Sequence, residues 1–332
     1  MLQIFSRNYN LARKTAYCII VVSLISGCVF NTSQSDLNVD YVNLESVPFF
    51  PQSEYQCGPA ALSTLLVSSG VQVLPRDLVA KVYIPERKGS LQIEMIAATR
   101  EYGRIPYLLN PELSDIIDEL HQGRPVLVFQ NLGWRIKPVW HYAVVIGYDP
   151  DAEELLLRSG TNAERRLSVN RFLRSWQHAD SWAFVALKPG ELPINVDVDR
   201  YFKALTDMSV NTSTNFMLEL YLKTSEHFPD KSFVWFALGN TYLQLNKGEQ
   251  AVGAYLQVLK IDPDHIAARN NLAYILSQLS CHNQALEQGK EAVRLSALAQ
   301  QYEQQSNDTL MQIKANINHR DGDTSNCKLE SG

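Results

Sequence analysis

The order in which the hydrophobic periods occur is the feature that most constrains this chain. From residue 57 to 121 apolar residues recur at helical spacing, punctuated by Gly70 and Gly103. From 125 to 187 they gather into short runs with strand character, such as Val126-Leu127-Val128-Phe129. Helices first and an antiparallel sheet after them make an α+β layout. Helices are expected at 57–69, 74–79, 91–102 with Ser90 as cap, and 111–121. Strands are expected at 125–130, 141–148, 154–158, 165–169 and 182–187. Pro189-Gly190-Glu191-Leu192-Pro193 reads as a linker, and the chain beyond it is helical.

A length of 332 residues gives room for two domains. Charged residues make up 20% and the formal charge is −5, with no basic run or basic-aromatic patch. That argues against nucleic acid as a partner. Before the first domain, Arg7, Arg13 and Lys14 lead into an apolar stretch at 16–25, closed by Ser26-Gly27-Cys28. This is the form of a secretory signal, and it is short for a membrane span. The expected organisation is a signal at 1–27, a polar tether at 28–44, a first domain at 45–190, a helical domain at 196–315 and a disordered polar tail at 316–332.

The chemistry centres on Cys57. It stands at the start of a predicted helix, followed by Gly58 and Pro59, and Gln52 lies five residues upstream. Pro59 lacks an N–H and suits a first helical turn. Gly58 would let a substrate backbone come close. The helix dipole and free N–H groups favour thiolate, and an imidazolium would pair with it. His141 opens the apolar strand Trp140-His141-Tyr142-Ala143-Val144 and is the general base this pattern offers. The bland alternatives are a buried structural thiol and an ordinary edge-strand histidine. An acyl-transfer oxyanion also needs donors, which Cys57 N–H and a glutamine amide, Gln52 or Gln56, would supply. No paired Cys or His has metal-ligand spacing and no glycine-rich phosphate loop is present, so no metal or cofactor is expected.

These residues carry a resemblance. Cys57-Gly58-Pro59-Ala60-Ala61 preceded by Gln52, then His141-Tyr142-Ala143-Val144-Val145, resembles the C39-like family of papain-fold cysteine peptidases. The likeness covers roughly residues 45–190 and implies a peptide or protein substrate. It assigns the oxyanion role to Gln52 rather than Gln56. Relatives carry Asp-Pro after the histidine, but here the matching stretch is Leu157-Arg158-Ser159-Gly160-Thr161-Asn162, with Ser159 in the aligned place. If residues 149–152 form a turn, Tyr148 faces Glu153 and His141 faces Gly160. Asn162 is then the favoured third group, with Ser159 and a bare Cys–His dyad left open. Asp149 lies eight residues along the strand from His141, about 26 Å.

Residues 232–265 carry Trp235, Leu238, Gly239, Tyr242, Ala251, Tyr255 and Pro263 in an order that resembles the 34-residue tetratricopeptide repeat, which implies a protein partner. In the next period Ala273 and Ala285 fit, but Gly289 replaces the aromatic residue. Ser26-Gly27-Cys28 resembles a bacterial lipobox. That implies a lipidated Cys28 and a membrane anchor, with the protein on the periplasmic side of the outer membrane. Cys281 and Cys327 remain; an oxidising compartment permits a disulfide, but one spacing alone does not decide it. Two classes of function stay open: a lipid-anchored peptidase, with amidase or transglutaminase-like chemistry as variants, and a non-catalytic peptide-binding adaptor.

Overall fold

The computed structural model describes residues 40–52, 56–210, 212–297, 299–319 and 327. The signal at 1–27, Cys28 and most of the tether lie outside the described residues. The domain is built on an antiparallel sheet of seven strands: β1 (Val42–Asn43), β2 (Ile105–Leu108), β3 (Val126–Asn131), β4 (Trp140–Asp149), β5 (Glu154–Ser159), β6 (Asn162–Ser168) and β7 (Ala183–Leu187). The order across the sheet is β2-β7-β3-β4-β5-β6, with β1 also paired to β4. Residues 42–43 therefore belong to the sheet and not to a tether. Helices α1 (Cys57–Ser68), α2 (Pro75–Val82) and α3 (Gln92–Glu101) precede nearly all of it, followed by α4 (Leu113–His121) and, after β6, α5 (Val169–Gln177).

The core explains why these segments adopt these forms. Leu62, Leu65 and Leu66 of α1 share one buried cluster with Leu78 and Val82 of α2 and with Met95 of α3. Tyr142, Val144 and Ile146 of β4 meet them from one face of the sheet, two residues apart as strand geometry requires. Ser90 does not cap α3; Leu91 holds that position, and the Ser90 hydroxyl is buried without a hydrogen-bond partner. β2 contains Pro106 and lies at the sheet edge, where a missing ladder N–H is tolerated.

Residues 188–197 are not a loose linker. Tyr107 Oη donates to Asn195 O at 3.2 Å and accepts from Asp197 N at 2.8 Å. Ile194 N donates to the buried Glu119 carboxylate at 2.9 Å. Arg100 pairs with Asp207 at 2.9 Å, just past helix α6 (Val198–Thr206). These bonds join the helical region to the sheet domain.

The helical region continues with α7 (Thr214–His227), α8 (Ser232–Gln244), α9 (Gly248–Ile261), α10 (Ile266–Gln278), α11 (His282–Ser296) and α12 (Glu303–His319). A Cβ on Gly239 would lie 2.7 Å from the Tyr255 ring, so this small residue lets α8 and α9 approach. In the next pair Ala273 replaces that glycine and Gly289 replaces the aromatic. The space goes to α12, whose Leu310 and Ile313 lie 3.3 Å from a Cβ built on Gly289. The departure from the repeat pattern is thus matched by a closing helix. α12 reaches His319 and Cys327 is disulfide-bonded to Cys281, so the expected tail at 316–332 is in part ordered.

Candidate active site

The site forms where β4 loses a strand neighbour. On its β3 side Tyr142 faces Phe129, but Phe129 N donates to Trp182 O, away from β4. The polar groups of the Tyr142 backbone therefore point to the opposite edge. There β5 is ending: Val144 pairs with Arg158, so the same register sets Ser159 opposite Ala143, and Gly160 then turns the chain. Two other segments fill the vacant edge. Gln52 N donates to Gly160 O at 3.0 Å, and Gln52 Nε2 donates to Tyr142 O at 3.5 Å. The backbone amides of Tyr142, Gly58 and Cys57 itself face the Cys57 sulfur and favour its thiolate form. The backbone of one residue, Tyr142, thus meets the glutamine amide at its carbonyl and the thiol at its N–H.

Cys57 occupies the first position of α1, whose N-terminus has neither a side-chain cap nor an acidic residue in its first turn. Its N–H groups are left for an incoming anion. Gly58 has a different reason from the expected substrate approach. A Cβ there would lie 2.1 Å from Ser90 Oγ, so the glycine seats α1 against the loop before α3. Cys57, His141 and Gln52 line one cleft of about 930 Å³, with Ser90 and Tyr142 in its wall.

The imidazole is held by Ser159: His141 Nε2 and Ser159 Oγ are 2.9 Å apart. Asn162 does not reach it. Asn162 is exposed and pairs with Ser159 across the β5–β6 turn, so it lies two strands from His141, about 10 Å at the usual spacing. The expected register fails at two places. The turn sits one residue further along, at 150–153, with Asp149 paired to Glu154 and Glu153 in the left-handed region at φ 51°. A bulge between Val145 and Gly147 then takes up one residue. Asp149 sits at the far end of β4, where it pairs with Arg166.

The electrostatics differ from a preformed ion pair. Burial pushes the Cys57 thiol above its ordinary range, and the backbone amides offset only part of that. Burial, with the Arg165 guanidinium second, lowers the His141 imidazole to about 4. No direct hydrogen bond joins the two side chains; such contacts often tighten only when substrate binds. The resting pair is therefore neutral thiol and neutral imidazole, not thiolate and imidazolium. General-base work requires the tautomer in which Nε2–H donates to Ser159 Oγ and Nδ1 keeps its lone pair.

A pH dependence follows. An unfolded histidine titrates near 6.5 and the folded one near 4, so between these values the unfolded state binds more protons. Stability is full above pH 6.5 and falls as pH drops toward 4, by on the order of 3 kcal/mol at ~1.36 kcal/mol per unit. Ser159→Asp puts a carboxylate beside the ring and should raise the imidazole pKa by about 1–3 units. Denaturant melts across pH 4–7 should then show a shallower slope in the variant, and Cys57 alkylation should speed up near neutrality. Identical pH profiles in both proteins would show that Ser159 does not sit at the ring.

Comparison with known proteins agrees with this division of the chain. Residues 39–183 match the profile described as "Peptidase_C39 like family", and residues 239–280 match that of the TPR repeat. The chain has an α+β domain that resembles C39-like peptidases, followed by an all-helical region with a TPR repeat. Among curated proteins, 59 residues are 34% identical to the peroxisomal targeting signal receptor of Candida albicans, covering 18% of this chain and 10% of that protein. The Candida glabrata receptor is 30% identical over 78 residues, 24% of this chain and 13% of that protein. The chain thus spans about a tenth of the length of the curated relatives it matches. Among solved structures, the peptidase domain of Streptococcus ComA, a bi-functional ABC transporter, is 20% identical. Its TM-score is 0.35, over 43% of this chain and 98% of that one. MamA (MSR-1) is 25% identical with a TM-score of 0.28, over 37% and 79%.

Proposed function

We propose that this chain is a cysteine peptidase that cleaves peptide bonds at Cys57. The observation that carries this is the meeting of thiol and glutamine amide on the Tyr142 backbone, with His141 next in the strand. His141 Nδ1 takes the thiol proton as sulfur attacks the substrate carbonyl carbon. The oxyanion is held by Cys57 N–H and Gln52 Nε2–H. As the C–N bond breaks, His141 returns the proton to the leaving amine. Water, deprotonated by His141, then hydrolyses the thioester and frees Cys57. The TPR repeats bind a protein partner, and Cys28 carries a lipid anchor to the periplasmic side of the outer membrane. The support for the anchor is the Ser26-Gly27-Cys28 signal alone. Among the described residues, no helix is long and apolar enough to cross a membrane.

A second reading is favoured by the neutral thiol and by Ser159 standing where relatives carry a carboxylate: the same cleft binds peptide without cleaving it. A peptidyl electrophile that alkylates thiols separates the two. Labelling of the wild-type protein that disappears in Cys57→Ala and is slowed in His141→Ala supports the peptidase. No labelling of Cys57 across pH 6–9 supports the adaptor.

A further inference from the structure

The connection between β3 and β4, residues 132–139, is an ordered hairpin that exposes large apolar side chains. Leu132 N bonds Val139 O at 2.8 Å, and Trp134 and Lys137 exchange two backbone bonds at 3.1 and 3.0 Å. Asn131 Oδ1 accepts from Gly133 N and Val139 N, both at 3.0 Å, and ties the two arms at their base. A Cβ on Gly133 would lie 2.4 Å from Lys137 O, so the close crossing admits only glycine. The tip is Arg135-Ile136, where two-residue hairpins prefer Asn-Gly. Trp134 is 79% exposed and Ile136 is 93% exposed. Solvent offers no reason to hold a tryptophan and an isoleucine on a braced turn; a contact does.

The hairpin continues into the cleft. Pro138, Val139 and Trp140 line the cleft that holds Cys57, and Trp140 stacks on Phe129 with ring centroids 5.2 Å apart. The tip lies beyond the cleft wall, four or five residues along the arm from Trp140, roughly 13–17 Å at ~3.3 Å per residue. Charge gives the chemistry of the occupant. The chain is acidic, at −5. Yet Arg87 and Lys88 line the cleft against a single carboxylate, Asp180. At the tip, Arg135 and Lys137 enter no ion pair among the described residues.

We infer that residues 132–139 form an exosite for the substrate segment flanking the scissile bond. That segment runs extended and pairs apolar side chains for Trp134 and Ile136 with carboxylates for Arg135, Lys137 and Arg87. This rests on the peptidase reading for its notion of substrate, but its test does not need catalysis.

The test uses the Cys57→Ala protein and fluorescence anisotropy of short fluorescein-labelled peptides. One alternates Leu and Phe with Asp and Glu, a second replaces the acids with Lys, and a third replaces Leu and Phe with Ser. The acidic-apolar peptide should bind at least about 10-fold tighter than the other two. Adding Trp134→Ala with Ile136→Ser should weaken it by about 10-fold or more, the scale for losing central anchors. Arg135→Glu with Lys137→Glu should turn the preference toward the Lys peptide. Equal binding by all variants overturns the inference. So does sedimentation with phosphatidylglycerol vesicles that requires Trp134 and Ile136 while peptide binding does not, which would make the tip a lipid contact. Hairpin-dependent binding without wild-type Cys57 labelling would sink the peptidase reading and leave the exosite standing. Cys57 labelling without hairpin-dependent binding would do the reverse.

Discussion

His141→Ala is expected to lower peptide-bond turnover by about 10³–10⁴-fold at pH 7, and the loss should shrink as pH rises. General-base catalysis is worth about 10²–10⁴-fold, and groups that act together lose more when one is removed. The upper range is expected here because the thiol is not ionised in advance: burial holds it protonated, so at neutral pH the imidazole must take its proton. Hydroxide can do the same work in alkali. The variant's rate should therefore climb tenfold per pH unit up to the raised thiol pKa, while the wild type stays flat over that range. A histidine with a purely structural role would give a loss independent of pH. Equal rates for wild type and variant at pH 7 would remove His141 from the mechanism.

Much of this arrangement is legible in the residues. A proline at the third helical position, an apolar helix behind Cys57 and a strand opening on His141 place nucleophile and base in one domain. The two-residue alternation of Tyr142, Val144 and Ile146 places the face that meets α1. What is not legible is the depth at which the pair is buried. The sequence shows a helix N-terminus, which lowers a thiol pKa; it does not show the desolvation that outweighs it here.

Register is the second thing hidden from the sequence. Asp149-Pro150-Asp151-Ala152 reads as a turn by composition, and the structure nevertheless sets the turn one residue later, at 150–153, and adds a bulge to β4. Either change alone moves every later pairing. Together they bring Ser159 rather than Asn162 to the imidazole. The position aligned with the family's carboxylate was the better guide than the assumed turn, because alignment does not depend on local loop geometry. The repeats show the opposite case. Gly239 and Tyr255 are a matched pair that sequence spacing alone locates. Gly289 looks like decay of the pattern until α12 is seen filling its place.

Gln52→Ala should lower kcat by about 10²–10³-fold with little change in KM, the usual cost of one missing oxyanion donor. Two features keep the fold out of this effect. The residue's structural bond is made by its backbone N–H to Gly160 O at 3.0 Å, which alanine retains. Its side-chain bond to Tyr142 O is long, 3.5 Å, and is readily given up for a developing oxyanion that accepts more strongly. Gln52→Glu sharpens the test. It keeps the shape of the side chain, but its carboxylate has no N–H to donate and sets a negative charge against the oxyanion. It should be at least as slow as alanine at neutral pH, and it should recover as pH falls and the carboxyl becomes a donor. Gln56→Ala is the control. Gln56 precedes α1 and its carbonyl accepts from Ala60 N, a bond alanine also keeps, so its activity should stay near wild type. A collapse in Gln56→Ala with Gln52→Ala intact would transfer the oxyanion role to the other amide.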